Sequence, residues 1–281
     1  MRFELLDSLS LPGDPAKANE DAFGHGESAA VVIDGATPLG DGLMPGPSDA
    51  AWIAQFGARR LMAHLRDGKS ARKALRAALA DTQKSFEALR RHEPEEMWQT
   101  PCASMILAVP DQEELEFLWF GDCAALVQQE DKAVRVIGET FDKRAAEAQR
   151  AKAVAQEKNL SPASGIRRAE FIGTLRSSRN RINSGNQWLF SPDAKAAGHV
   201  ARRAMKAAPG SMLLLASDGF LALASDYGAY SADSLMTAAM SKGLAVLGAE
   251  LRAIEAGDSG GDKFPRFKKS DDATALLLRV T

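Results

Sequence analysis

The chain has 281 residues, 45% of them hydrophobic and 26% charged, the composition of a globule able to bury a full core. A net charge of −2 gives no global drive toward nucleic acid or an anionic membrane, and no apolar run approaches the ~18–20 residues of a membrane span. Two cysteines, Cys102 and Cys123, are too few for a zinc site and read as reduced core residues. The start, Met1 to Asp7, carries acids where a signal peptide needs an apolar core, so the expectation is a cytoplasmic protein with neither membrane nor nucleic-acid partner.

Taken in order, residues 1–35 read as two or three strands, with turns at Pro12-Gly13-Asp14 and Gly24-His25-Gly26. Ala29 to Ile33 is short, apolar and partly β-branched, the pattern of a buried strand. A Gly/Pro-rich loop follows at 36–47. Ser48 predicts an N-cap, and Ile53, Phe56, Leu61 and Leu65 continue with helical spacing to Gly68. A second helix opens at Ser70, with Leu75, Ala78, Leu79, Phe86 and Leu89 as its apolar stripe. Strands are predicted at 105–109, 115–120, 124–128 and 134–137, and short connections make them antiparallel. Residues 142–158 are Ala-rich and polar, and periodicity is lost beyond them. Over 143–181, ten Lys and Arg stand against three Glu, which predicts a basic insertion or flap at about 142–181. Leu189-Phe190 suggests a short strand and Met212 to Ala216 a buried one. Residues 231–242 and 244–256 read as helices, and Ala273 to Val280 as a last strand. This order gives an α+β layered fold over 1–281, not the alternation of a parallel sheet.

Five short motifs carry the chemistry: Asn19-Glu20-Asp21, Val32-Ile33-Asp34-Gly35, Gly121-Asp122, Ala216-Ser217-Asp218-Gly219 and Ser270-Asp271-Asp272-Ala273-Thr274. Three of them put an Asp beside an apolar run of strand character. A carboxylate there has lost water and needs hydrogen bonds or a cation. Carboxylates gathered at strand ends hold hard divalent ions. Asp-Gly is also a common turn dipeptide, so a single motif says little. Five in this order, each attached to an apolar run, are hard to explain as turns.

In that order and spacing the motifs resemble the metal-dependent protein Ser/Thr phosphatases of type 2C (the PPM family), in a bacterial-type form, from Asn19 to Val280. The resemblance implies two packed antiparallel β-sheets flanked by helix pairs, an αββα sandwich. It implies two Mg2+ or Mn2+ ions, with Asp34 bridging them, the Gly35 carbonyl on the first, Asp218 and Asp271 on the second, and Asp122 near a possible third. Asp21 and Glu20 would order water around the ions. Oxygen ligands of this kind suit Mg or Mn, and a water activated between two ions attacks phosphorus without a Ser or Cys nucleophile. The implied substrate is a phosphoprotein or a small phosphomonoester.

Two positions depart from the family pattern. Ala36 stands where eukaryotic members carry a His that protonates the leaving group; His25 is the nearest substitute in sequence, but a lone loop His is ordinarily solvated, and metal-bound water is the better candidate. Ala16 stands where the family's phosphate-holding Arg belongs, which leaves Lys17, Arg176, Arg179 and Arg181 as phosphate contacts. Three readings follow: an active phosphatase acting on phosphoserine or phosphothreonine, an inactive binding module on the same fold, and a small-molecule phosphoesterase.

Overall fold

The protein is described by a computed structural model covering residues 1–140, 149, 153, 156 and 169–281. Apart from three of its positions, the Ala-rich stretch 142–158 lies outside the described residues. In chain order the strands are β1 (Phe3–Leu11), β2 (Asp21–Gly26), β3 (Ala29–Gly35), β4 (Ala103–Asp111), β5 (Glu114–Phe120), β6 (Ala124–Gln128), β7 (Val134–Ile137), β8 (Ala201–Lys206), β9 (Met212–Ala216) and β10 (Ala273–Val280). The α-helices are α1 (Asp49–Arg66), α2 (Ala71–Leu89), α3 (Ala169–Arg179), α4 (Asp218–Ser225), α5 (Ala232–Lys242) and α6 (Leu244–Gly257). One sheet has the order β1-β10-β9-β6-β7, the other β2-β3-β4-β5-β8, and every pairing in both is antiparallel.

The two sheets face each other, and side-chain alternation divides each central strand between two cores. In β3, Val31 and Ile33 meet α1 and α2, while Ala30 and Val32 meet the opposite sheet. In β9, Leu214 lies against α5 and α6, while Leu213 and Leu215 face the seam between sheets. This is why β3 and β9 read as continuous apolar runs: both faces are covered. Burial of α1 falls on Ile53, Ala54, Ala58, Leu61 and Leu65, so the predicted Ile53, Leu61 and Leu65 are buried while Phe56 is only half-buried, and Ser48 Oγ accepts from Ala50 and Ala51 N–H as the N-cap.

Several elements differ from the sequence reading. Gly24-His25-Gly26 belongs to β2, and the hairpin turns at Glu27-Ser28. Leu189-Phe190 forms only a single bridge, Phe190 to Ala103. β8, Ala-Arg-Arg-Ala-Met-Lys, has no strand signature and exists by pairing with β5. Asp218 opens α4 instead of ending a strand, because Phe220 to Leu223 is a buried helical turn that an apolar run alone cannot distinguish from strand. Among the described residues no helix is long and apolar enough to cross a membrane.

Phe117 is fully buried in the seam between sheets. Phe117→Ala is expected to cost about 3–5 kcal/mol in denaturant unfolding, because the cavity is closed in by both sheets and cannot collapse. A loss below 1 kcal/mol would mean that the seam repacks freely.

Candidate active site

The site lies at one open end of the seam. Register sets Asp21 of β2 opposite Asp34 of β3, and Asp34 opposite Ser104 of β4. Asp34 shares strand parity with Ala30 and Val32, and Ser104 shares it with Ile106 and Ala108, so both positions belong to the face that meets the other sheet. From that other sheet, Ser217 follows the end of β9 and Asp271 precedes β10. The antiparallel pairing of Ala216 with Ala275 brings them together.

Asp34, Gly35, Asp122, Asp218 and Asp271 all line one cavity of about 640 Å³. Asp21 lies behind them, almost completely buried. Ser217 Oγ donates to Asp21 Oδ2 at 2.8 Å, Thr274 N–H donates to Ser217 Oγ at 3.0 Å, and Ser217 N–H donates to the Thr274 carbonyl at 2.9 Å. These bonds tie β9 and β10 to β2 across the seam. Asp272 accepts the N–H groups of Gly13 and Glu20, both at 2.6 Å, and so straps the N-terminal loop to the start of β10. Glu20 stands just outside the cavity lining: its carboxylate accepts from the hydroxyls of Thr37, which lines it, and Ser48, and holds the 36–48 loop to the start of α1. Asp122 accepts from Ser104 Oγ at 2.6 Å.

The glycines are required by close approach rather than by a sharp turn. A Cβ on Gly35 would lie 2.4 Å from the Ala50 carbonyl oxygen, and one on Gly219 would lie 2.0 Å from that of Asp272.

Gathering these carboxylates has an electrostatic cost. Burial, followed by the charges of Asp21, Asp218 and Asp271, holds the Asp34 carboxyl well above the usual carboxylate range. Burial also lifts Asp21 to about 8, against the hydrogen bond from Ser217. Asp21 Oδ1 is buried without a hydrogen-bond partner. A buried carboxylate oxygen in that state, with carboxylates around it, fits a hard divalent cation with oxygen ligands. Among the described residues no three His, Cys, Asp or Glu side chains converge as a finished cage. Like charges do not contract round a point on their own.

The basic residues divide sharply. Arg179, at the end of α3, lines the cavity and donates to the Thr37 carbonyl at 2.8 Å. Arg176 donates to the Leu39 carbonyl and lies 3.9 Å over the Trp98 ring. α3 also buries Phe171, which meets Phe267 edge-on at 5.6 Å. The described end of the basic insertion is therefore latched, not merely solvated. Arg181 lies outside the cavity lining and donates to the Ser177 carbonyl, and Lys17, 77% exposed, pairs with Asp14 at 3.3 Å. His25 is exposed against Phe23, four residues along β2 from Asp21 and therefore roughly 13 Å away. None of the four histidines lines the cavity. Sequence reasoning missed Ser217, Thr274 and Lys268. The first two stood inside the quoted motifs, and their parity with the seam residues was the signal.

A family model described as protein phosphatase 2C matches residues 16–251. Among solved structures, the Mycobacterium tuberculosis serine/threonine phosphatase PstP/Ppp superposes with a TM-score of 0.60 at 16% identity, covering 100% of this chain and 99% of that one. The PPM Ser-Thr phosphatase MsPP from Mycobacterium smegmatis, in complex with cacodylate, gives 0.55 at 14%, covering 99% of each chain. The catalytic domain of PstP in complex with two manganese ions gives 0.53 at 17%, covering 100% of this chain and 98% of that one. No curated protein matches the sequence.

A folded-state value near 8 for Asp21, against 3.8 for a free carboxyl, fixes the sign of a pH effect. Between those values the folded protein keeps a proton that the unfolded chain has released, so stability falls as pH rises. In EDTA, Tm is expected to drop between pH 6 and pH 8. Saturating Mg2+ should raise Tm and raise it most at pH 8, and Asp21→Asn should reduce the metal-free slope, leaving the share that Asp34 contributes. A metal-free Tm that rises with pH would contradict this account of the cluster.

Proposed function

The chain belongs to the protein phosphatase 2C family and is a phosphatase, and from that premise we propose that it hydrolyses phosphoserine and phosphothreonine in proteins by a metal-dependent route. The observation that carries the reading is the convergence of Asp34, Asp218 and Asp271, from both sheets, on one cavity that Arg179 also lines. Asp34, Asp218, Asp271 and the Gly35 carbonyl would hold two Mg2+ or Mn2+ ions, and Asp122 would stand beside a third. When bound, such ions supply charge neutralisation and an activated water for in-line attack on phosphorus.

The chain's own groups supply the rest. Asp21, fixed by Ser217, supports Asp34 from behind, and Glu20 holds the loop that carries Ala36 and Thr37. Arg179, at the cavity wall, offers the phosphate a planar fork that Lys17, turned outward to Asp14, does not. Thr174, Leu175 and Ile182, around the end of α3, wall the cavity beside Arg179. No lining histidine is placed to protonate a leaving group.

Hydrolysis of an aryl phosphate and of phosphopeptides with added Mn2+ tests this reading directly. Asp34→Asn and Asp218→Asn are expected to reduce turnover to background with the fold intact by circular dichroism. Asp21→Asn is expected to cost roughly 10–100-fold, as for a group that supports ligands without holding the ion. Wild-type rates in Asp34→Asn at saturating Mn2+ would sink the two-ion reading.

The missing general acid makes its own prediction. Acid assistance is worth ~10²–10⁴-fold and matters most for poor leaving groups. Rates over a series of aryl and alkyl phosphates should fall steeply as leaving-group pKa rises, and His25→Ala should leave that slope unchanged. A shallow slope that steepens only in His25→Ala would make His25 the acid.

A further inference from the structure

Lys268 sits where a carboxylate cluster needs a positive charge. Its Nζ lies 2.6 Å from Asp271 Oδ1, and its charge acts on Asp34 and Glu20 as well. The side chains of Lys268 and Asp271 are 32% and 26% exposed, so solvent screens the pair less than a surface ion pair. The segment that presents Lys268 is pinned on its N-terminal side. Arg266, nearly buried, pairs with Asp258 at 2.8 Å and donates to the carbonyls of Phe264 and Lys269. Phe267 is packed edge-on against Phe171. Lys268 is held toward the cavity from both neighbouring residues.

Among the described residues, three basic side chains line the cavity. Arg266 is engaged with Asp258 and Arg179 with the Thr37 carbonyl. Lys268 alone among them makes its ion pair with an aspartate of the cluster.

We infer that Lys268 is a resident counter-cation that competes with one divalent ion for Asp271, and so sets the ion concentration at which the site fills. The inference rests on the metal-dependent reading above. An ammonium at 2.6 Å from a carboxylate oxygen occupies the approach that a divalent ion needs, and the two positive charges repel. An ion bound through Asp271 thus works against the Lys268–Asp271 pair, and the pair weakens ion binding by the same factor as the ion weakens the pair. In the metal-free protein the ammonium relieves part of the repulsion among Asp34, Asp218 and Asp271.

The test is Mn2+ binding, followed by calorimetry and by the electron paramagnetic resonance of free Mn2+, on the wild type, Lys268→Met, Lys268→Gln and Lys268→Arg. Circular dichroism establishes that each variant is folded. Both neutral variants are expected to bind one Mn2+ roughly tenfold more tightly, within the usual size of such couplings. They should also show a lower Tm in EDTA, while Lys268→Arg keeps the wild-type affinity. Equal Mn2+ affinities in the wild type and both neutral variants would overturn the inference and leave the metal reading standing. The same holds if Lys268→Arg tightens binding as the neutral variants do. A wild type that binds no Mn2+ would overturn both.

Discussion

The rest of this structure answers to one constraint: negative charge is concentrated at the open end of an apolar seam. Asp21, Asp34, Asp218 and Asp271 come from both sheets and act on one another through a poorly solvated interior. At an effective dielectric near 20, two such groups, when ionised 4 Å apart, repel by about 4 kcal/mol; burial and this repulsion together are why Asp21 and Asp34 hold their protons well above the usual range. That repulsion works against joining the sheets. The apolar seam opposes it, with Val32, Ile106, Phe117, Leu215 and Leu276 buried between the layers. So do the polar straps, since Ser217 bonds Asp21 across the seam and Asp272 gathers two backbone N–H groups from the N-terminal loop. Each strap uses a group that carries no net charge or that lies outside the cavity, so it holds the cluster together without neutralising it. The unbonded oxygen of Asp21, buried behind the lining carboxylates, is a cost this arrangement leaves uncompensated.

Positive charge is distributed with matching economy. Among the described residues only Arg179, Arg266 and Lys268 bring a basic side chain to the cavity. Lys17 follows the position where the family's arginine is expected, but the turn Pro12 to Lys17 directs it to Asp14 instead. Arg179 arrives from α3, more than 140 residues away in sequence from Asp34, and is oriented by a backbone carbonyl rather than by a carboxylate. A guanidinium held that way keeps its charge for an incoming anion. Among the described residues the cavity thus takes a cation from the end of α3, while Lys17 on the N-terminal loop stays outside it.

Much of this was legible in the sequence, and the failures have physical causes. The helices α1 and α2 were readable because their stripes repeat for four turns or more and Ser48 caps the first. β3 and β9 were readable because burial on both faces leaves an unbroken apolar run. β8 was invisible, since an edge strand of Arg, Ala and Lys owes its conformation to β5 alone. α4 was hidden because it is buried all round and shorter than the period needed to show itself. The carboxylates could be named from their motifs, but their partners could not. Lys268, in Phe-Lys-Lys-Ser, reads as an ordinary basic loop residue until Arg266 and Phe267 are seen fixing its direction.

The register of β2 on β3 shows how tightly the chemistry is bound to the fold. Asp21, Asp34 and Ser104 form a row across three strands at positions that face the seam, and Ser217 and Thr274 complete it from the other sheet. In a period-two structure, a slip of one residue in β3 would exchange the two faces. Asp34 would then point toward α1 among Ile53, Ala54 and Leu61, and Val31 and Ile33 would enter the seam in place of Ala30 and Val32. The apolar volumes forbid the second change as firmly as the charge forbids the first, because the small Ala30 leaves room that a larger side chain would overfill. The packing that makes β3 a strand is thus the same packing that holds its aspartate in the cavity, and selection on either maintains both.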